Sequence, residues 1–148
     1  MLTIVALGTV SAQTASKRGL VARLKDNTVA NGCGCYFQYR GTPLEAQRYV
    51  FFSSIEEDGE KTAWMNIEGR DVKLTRTRNK DPKGRLRVGS RLTRRYVAGD
   101  ISVDATYIAT SVCRRDDEEC ESSDYSATFV VRKGVRVQVV KAAGGCGC

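Results

Sequence analysis

The tetrapeptide Gly32-Cys33-Gly34-Cys35 recurs as Gly145-Cys146-Gly147-Cys148, so two identical units bracket most of the chain. They hold four of the six cysteines, and the other two, Cys113 and Cys120, flank an acidic stretch. One residue separates the cysteines of each unit, and three chemistries suit that spacing. In an oxidising compartment the units cross-link to each other. In a reducing one, Cys33, Cys35, Cys146 and Cys148 supply four thiolates for zinc or a soft ion such as Cu(I). The third outcome, a Cys-Gly-Cys closed on itself, departs from relaxed disulfide geometry.

The start of the chain bears on the choice. Leu2 to Val10 is a short apolar run, and Val10 and Ala12 place small residues at the −3 and −1 positions of a cleavage point before Gln13. No Lys or Arg precedes the run, as a complete signal peptide would require. The reading is nonetheless a candidate signal peptide over residues 1–12, a polar entry segment over 13–31, a single β domain over 32–148, and a secreted or periplasmic location. The apolar run is too short to span a bilayer, so no transmembrane segment is expected.

A chain of 148 residues with 41% hydrophobic residues is large enough for one domain with its own core. It contains no histidine, which removes Ser-His-Asp and Cys-His catalysis and every histidine-containing metal site. Nothing shows two carboxylates converging, so no catalytic residue and no cofactor is assigned and the chain is read as a non-enzyme.

Two-residue periodicity dominates. Cys35, Phe37 and Tyr39 alternate with polar or aromatic neighbours, the odd positions from Ile101 to Ala109 are mostly apolar, and Tyr125, Ala127, Phe129 and Val131 repeat the pattern. Lys133-Gly134 then turns the chain into Val135, Val137 and Val139. Thr42-Pro43-Leu44-Glu45 carries a helix-start signature with room for a turn or two. Glu56 to Glu60 holds an Asp58-Gly59 hairpin dipeptide. About eight short strands between turns predict an all-β fold, a single antiparallel sandwich or barrel. Tyr49, Phe51, Phe52, Trp64 and Phe129 are read as core. On such a fold Cys113 and Cys120 staple a loop, and the first and last core strands lie side by side. An antiparallel arrangement favours Cys33 with Cys148 and Cys35 with Cys146.

The formal charge of +7 is uneven, with its basic residues concentrated between Arg70 and Arg95. Arg76, Arg78, Arg85, Arg87, Arg91, Arg94 and Arg95 are the candidate anion-binding residues, the first four at period two as on one strand face. The competing reading is a solvated outer sheet face. No aromatic residue falls between Arg70 and Arg95, which disfavours nucleic acid. An acidic glycan, a lipid head group or an acidic protein is the better partner class. The leading functional expectation is an exported, disulfide-held binding or structural module. Metal handling by the paired cysteines is the alternative, and polyanion binding a weaker one.

Overall fold

The computed structural model describes residues 18–56 and 59–148. The candidate signal peptide over residues 1–12 lies outside the described residues, as do Glu57 and Asp58 of the expected hairpin turn. Nine strands form among the described residues: β1 (Val21–Ala22), β2 (Gly34–Tyr39), β3 (Tyr49–Glu56), β4 (Gly59–Ile67), β5 (Arg70–Lys80), β6 (Arg91–Ala98), β7 (Ile101–Ser111), β8 (Ser122–Lys133) and β9 (Arg136–Gly147). From β2 to β9 each strand pairs antiparallel with the next in sequence, and β9 returns to pair with β2. The result is a closed eight-stranded up-and-down barrel with β1 as an added strand. Of sandwich and barrel, the chain forms the barrel. Closure removes the open edges that an eight-stranded meander would otherwise expose.

The alternating pattern explains the interior. On β7, Ile101, Val103, Ala105, Tyr107 and Ala109 point inward, and on β8 Tyr125, Ala127, Phe129 and Val131 do the same. Phe37, Phe51, Tyr96, Tyr107 and Phe129 meet in the centre, with Phe51 and Phe129 stacked at 4.6 Å and Phe37 and Tyr107 at 4.9 Å between ring centroids. Alanines at 105, 127 and 142 on neighbouring strands make room for these rings. Each fully buried ring of this kind contributes about 1.5–3 kcal/mol by removal from water. The centre is therefore a packed core of side chains.

Residues 13–31 read from the sequence as a polar entry segment with one possible strand over 19–24, and the described part of that segment holds β1 and adds to the core. Leu20, Val21 and Leu24 are buried against the barrel core. β1 pairs with Asn66 and Ile67 of β4, just beyond the point where β3 stops pairing with it. The Tyr39 hydroxyl donates to the Val21 carbonyl, and the Val21 amide donates to Gln138 Oε1 at 2.9 Å. Asp71 then receives the chain: its carboxylate accepts the Lys25 and Asp26 amides at 2.8–3.0 Å and Asn66 Nδ2 at 2.8 Å. Leu24 bonds to the backbone of Tyr49 and Cys33 to that of Ile55, so the segment between them runs the length of β3.

Two further local readings take definite form. The helix-start signature at Thr42 produces only a single 3-10 turn, Leu44–Ala46, which Gln47 ends in the left-handed region at φ 47°. Val137 and Val139 face outward and Val135 is fully exposed, while Val140 and Ala142 carry the inner face of β9. The turn at Gly134 and Val135 sets this register by pairing Lys133 with Arg136. Apolar residues on both faces of β9 hid it in the sequence.

Candidate functional site: the barrel seam and the basic outer face

Hairpin connections join every neighbouring pair of barrel strands except β2 and β9, which meet only because the fold brings the chain's ends together. The Gly-Cys-Gly-Cys units occupy this seam. The register runs Gly34 opposite Gly147, Cys35 opposite Cys146 and Tyr36 opposite Gly145. Cys35 is bonded to Cys146 and Cys33 to Cys148, with Cα atoms 4.0 and 4.1 Å apart, and Cys113 is bonded to Cys120. All three pairings match the sequence expectation. No cysteine is free, so the thiolates that metal handling requires are bonded to one another in this structure.

Facing residues alternate along the seam, with the Cys35–Cys146 pair on the inner side and Gly34, Gly145 and Gly147 on the outer. Gly34 cannot carry a side chain without meeting the Ser53 carbonyl at 2.3 Å, and Gly147 would meet the Glu121 carbonyl at 2.2 Å. A Cβ on Gly144 would stand 1.8 Å from the Tyr36 carbonyl oxygen. The glycines thus let β8, β9, β2 and β3 pack closely where the bridges form.

Outside the seam lies a groove of about 460 Å³. Its floor is the backbone of Gly34, Gly145 and Gly147; Tyr36, Tyr49 and Leu44 stand on one side, and Thr110, Ser122 and Asp124 on the other. The Tyr36 ring lies 4.7 Å from Phe52 and 5.2 Å from Tyr49, and its hydroxyl donates to the Gly32 carbonyl. Burial raises the Tyr36 phenol above its ordinary value, and neighbouring Tyr49 adds to the rise. Phe52 points outward yet is fully covered, and Trp64, opposite it on β4, is half-buried. Of the five aromatics read as core, Phe51 and Phe129 reach the interior, whereas Tyr49, Phe52 and Trp64 lie on the outer face.

The expected anion-binding arginines divide. A bulge between Arg76 and Arg78 breaks the period-two spacing. Arg76 consequently pairs with inward-facing Tyr96, and Arg78 pairs with outward-facing Arg95. Arg94 is buried on the inner side and ion-paired with Asp81. Arg95 and Arg132 share Asp104 at 3.3 and 2.8 Å. Arg85 and Arg87 sit in the loop between β5 and β6 rather than on a strand, and with Arg114 line a small surface pocket of about 250 Å³ around Leu86, Val88 and Val112. Among the described residues Arg78, Lys80, Arg85, Arg87 and Arg91 form no ion pair. The exposed basic face is thus Arg78, Lys80 and Arg91, with Arg95 beside them and the loop arginines at the barrel end.

At the opposite end Glu68 accepts Lys133 Nζ at 2.5 Å and Arg136 at 2.7 Å, and these hydrogen bonds hold its carboxyl below the ordinary carboxylate value. Arg136 also donates to the Arg18 carbonyl at 3.0 Å, tying the entry segment to the same cluster. No group of three or more metal-ligating side chains is brought together among the described residues. No helix among them is long and apolar enough to cross a membrane.

A scan against protein-family models, a search of curated proteins and a search of solved structures each give no match to this chain. Function has to be read from the surface itself. The seam groove escaped sequence reasoning because its walls come from strands far apart in the chain. The signal that pointed to it was the glycine-alternating cysteine unit, read for its sulfurs and not for the bare backbone beside them.

Proposed function

We propose that this chain is an exported, non-enzymatic binding module that recognises its ligand on the outside of a disulfide-clamped barrel. Support for an oxidising compartment comes from three disulfides that consume every cysteine. The observation that carries the outer-surface reading is the packed interior: the aromatic rings and alanines of the core fill the barrel where a ligand-carrying barrel keeps a chamber.

Polyanion binding is the second reading, favoured by one specific arrangement. Arg78 stands directly opposite Arg95, and because Asp104 is already shared between Arg95 and Arg132, this like-charge pair keeps a net positive charge that suits an external anion. Lys80 and Arg91 on the same face extend the positive field, and a sulfated or phosphorylated polymer fits it better than a base-reading partner.

Retention on immobilised heparin tests this. The chain should elute at a salt concentration well above that of a variant with Arg78, Lys80, Arg85 and Arg91 all changed to Gln. These side chains are exposed, so the variant retains the fold. Equal elution of the two would remove the polyanion reading and leave the basic face as a solvated surface.

A further inference from the structure

We infer that the groove over the barrel seam is a binding site for a neutral saccharide, separate from the basic face. The aromatic wall supports this first. Tyr36 is half-exposed, its ring is backed by buried Phe52, and its hydroxyl is tied to the Gly32 carbonyl, so the ring is held in one orientation before any ligand arrives. Tyr49 stands beside it at 5.2 Å and Leu44, 77% exposed, extends the apolar edge. A fixed, partly exposed aromatic surface suits the flat C–H face of a pyranose ring, and pre-organisation lowers the entropy that binding costs.

The floor and the far wall supply the polar half. Gly145 and Gly147 carry no side chain on the outer face, which keeps the groove floor low between the two walls, while Gly34 beneath the Phe52 ring closes its end. Across from the tyrosines, Asp124, Ser122 and Thr110 offer a carboxylate and two hydroxyls. Asp124 is exposed and its side chain makes no hydrogen bond or ion pair among the described residues, so its carboxylate is open to sugar hydroxyls. The volume of about 460 Å³ lies within the usual range for small-ligand sites.

Charge decides the ligand class. Asp124 is the one charged side chain among the groove's lining residues, so an acidic sugar or a polyanion is repelled here. A quaternary ammonium would need aromatic faces around it, and the tyrosines occupy one side only. A neutral ring with one apolar face and a rim of hydroxyls matches both walls.

The test is an amide-resolved NMR titration of the intact, oxidised chain with four probes: neutral hexasaccharides of glucose, mannose, xylose and N-acetylglucosamine. At least one should shift the amides of Gly34, Gly145 and Gly147 saturably, with a millimolar or tighter Kd. Tyr49→Ala and Asp124→Asn should each weaken that binding by about ten-fold, the loss of one good contact. Their spectra away from the groove should stay unchanged, since both side chains lie at the surface. The Arg78, Lys80, Arg85 and Arg91 variant should bind the saccharide as the parent does, which separates this site from the basic face. The inference is overturned if none of the four probes gives a saturable shift, if Tyr49→Ala binds as tightly as the parent, or if choline or heparin shifts the same amides at lower concentration than any hexasaccharide.

Discussion

Cys35 lies directly opposite Cys146 across the β2–β9 seam, their Cα atoms 4.0 Å apart, and the bond between them joins residues 111 positions distant in sequence. Two register positions further out, beyond the Gly34–Gly147 pair, Cys33 bonds to Cys148. The two bridges hold the only barrel junction, among the described residues, that no hairpin holds. Barrel closure and covalent closure coincide.

The bridges should therefore differ in weight. In the chain-entropy picture, closing the long loop stabilises by about 5 kcal/mol and closing the short Cys113–Cys120 loop by about 2 kcal/mol. The second seam bridge adds less, because the first has already removed most of the loop freedom. Changing both Cys146 and Cys148 to Ser should lower Tm far more than changing both Cys113 and Cys120. Differential scanning calorimetry on the two variants measures it, and equal losses would mean the seam holds without its clamp.

The seam glycines give a paired contrast. A methyl at Gly144 meets the Tyr36 carbonyl at 1.8 Å, whereas at Gly145 the nearest atoms, both at 3.0 Å, are an oxygen of the movable Asp124 side chain and the Ser123 carbonyl oxygen. Gly144→Ala should cost about 2–3 kcal/mol, as overpacking against fixed backbone does. Gly145→Ala should cost less. Urea unfolding of both variants gives the comparison.

Asp71 anchors the entry segment through the Lys25 and Asp26 amides. Asp71→Ala should destabilise by about 1–3 kcal/mol, because it strips partners from two backbone donors and from Asn66 Nδ2. Hydrogen exchange at the Lys25 and Asp26 amides should speed up while the β7 and β8 amides stay protected. Unchanged exchange at those two positions would show that the core residues Leu20, Val21 and Leu24 alone hold the segment.

Much of this was legible in the sequence, for a physical reason. β7 and β8 have one face in a packed core, so their apolar residues recur every second position and the strands can be read off directly. The matching Gly-Cys-Gly-Cys units could meet in register only if the first and last barrel strands were neighbours. Elsewhere local pattern did not carry the information. β9 has valines on its outer face as well as Val140 and Ala142 within, so only the Gly134–Val135 turn decides which side is which. A bulge, invisible at the level of residue type, sends Arg76 and Arg78 to opposite faces. The run from Gly19 to Leu24 reads as a possible strand within a polar segment, but so short a run does not show that Leu20, Val21 and Leu24 are core. The groove depends on Tyr36, Tyr49 and Asp124 coming together across three strands, which spacing along the chain does not encode.

The ion pairs at Glu68 make a pH-dependent contribution. Its carboxyl is held below the ordinary value of 4.5 by the bonds from Lys133 and Arg136. A depressed acid contributes stability above its unfolded value and loses it as the pH falls through the folded one. Glu68→Gln should therefore lower Tm slightly at neutral pH, the group being well solvated. The difference from the parent should shrink as the pH drops below 4.5. A gap in Tm that stays constant into acid would contradict this.

The clamp itself is open to direct measurement by mass spectrometry of peptides from the alkylated, non-reduced protein. The peptide that contains Cys33 and Cys35 should be recovered joined to the one that contains Cys146 and Cys148, and Cys113 should be joined to Cys120. No cysteine should carry the alkylating group. Recovery of either Cys-Gly-Cys closed on itself, of Cys113 joined to the seam, or of four alkylated cysteines at the seam would contradict the account of a barrel sealed covalently between its first and last strands.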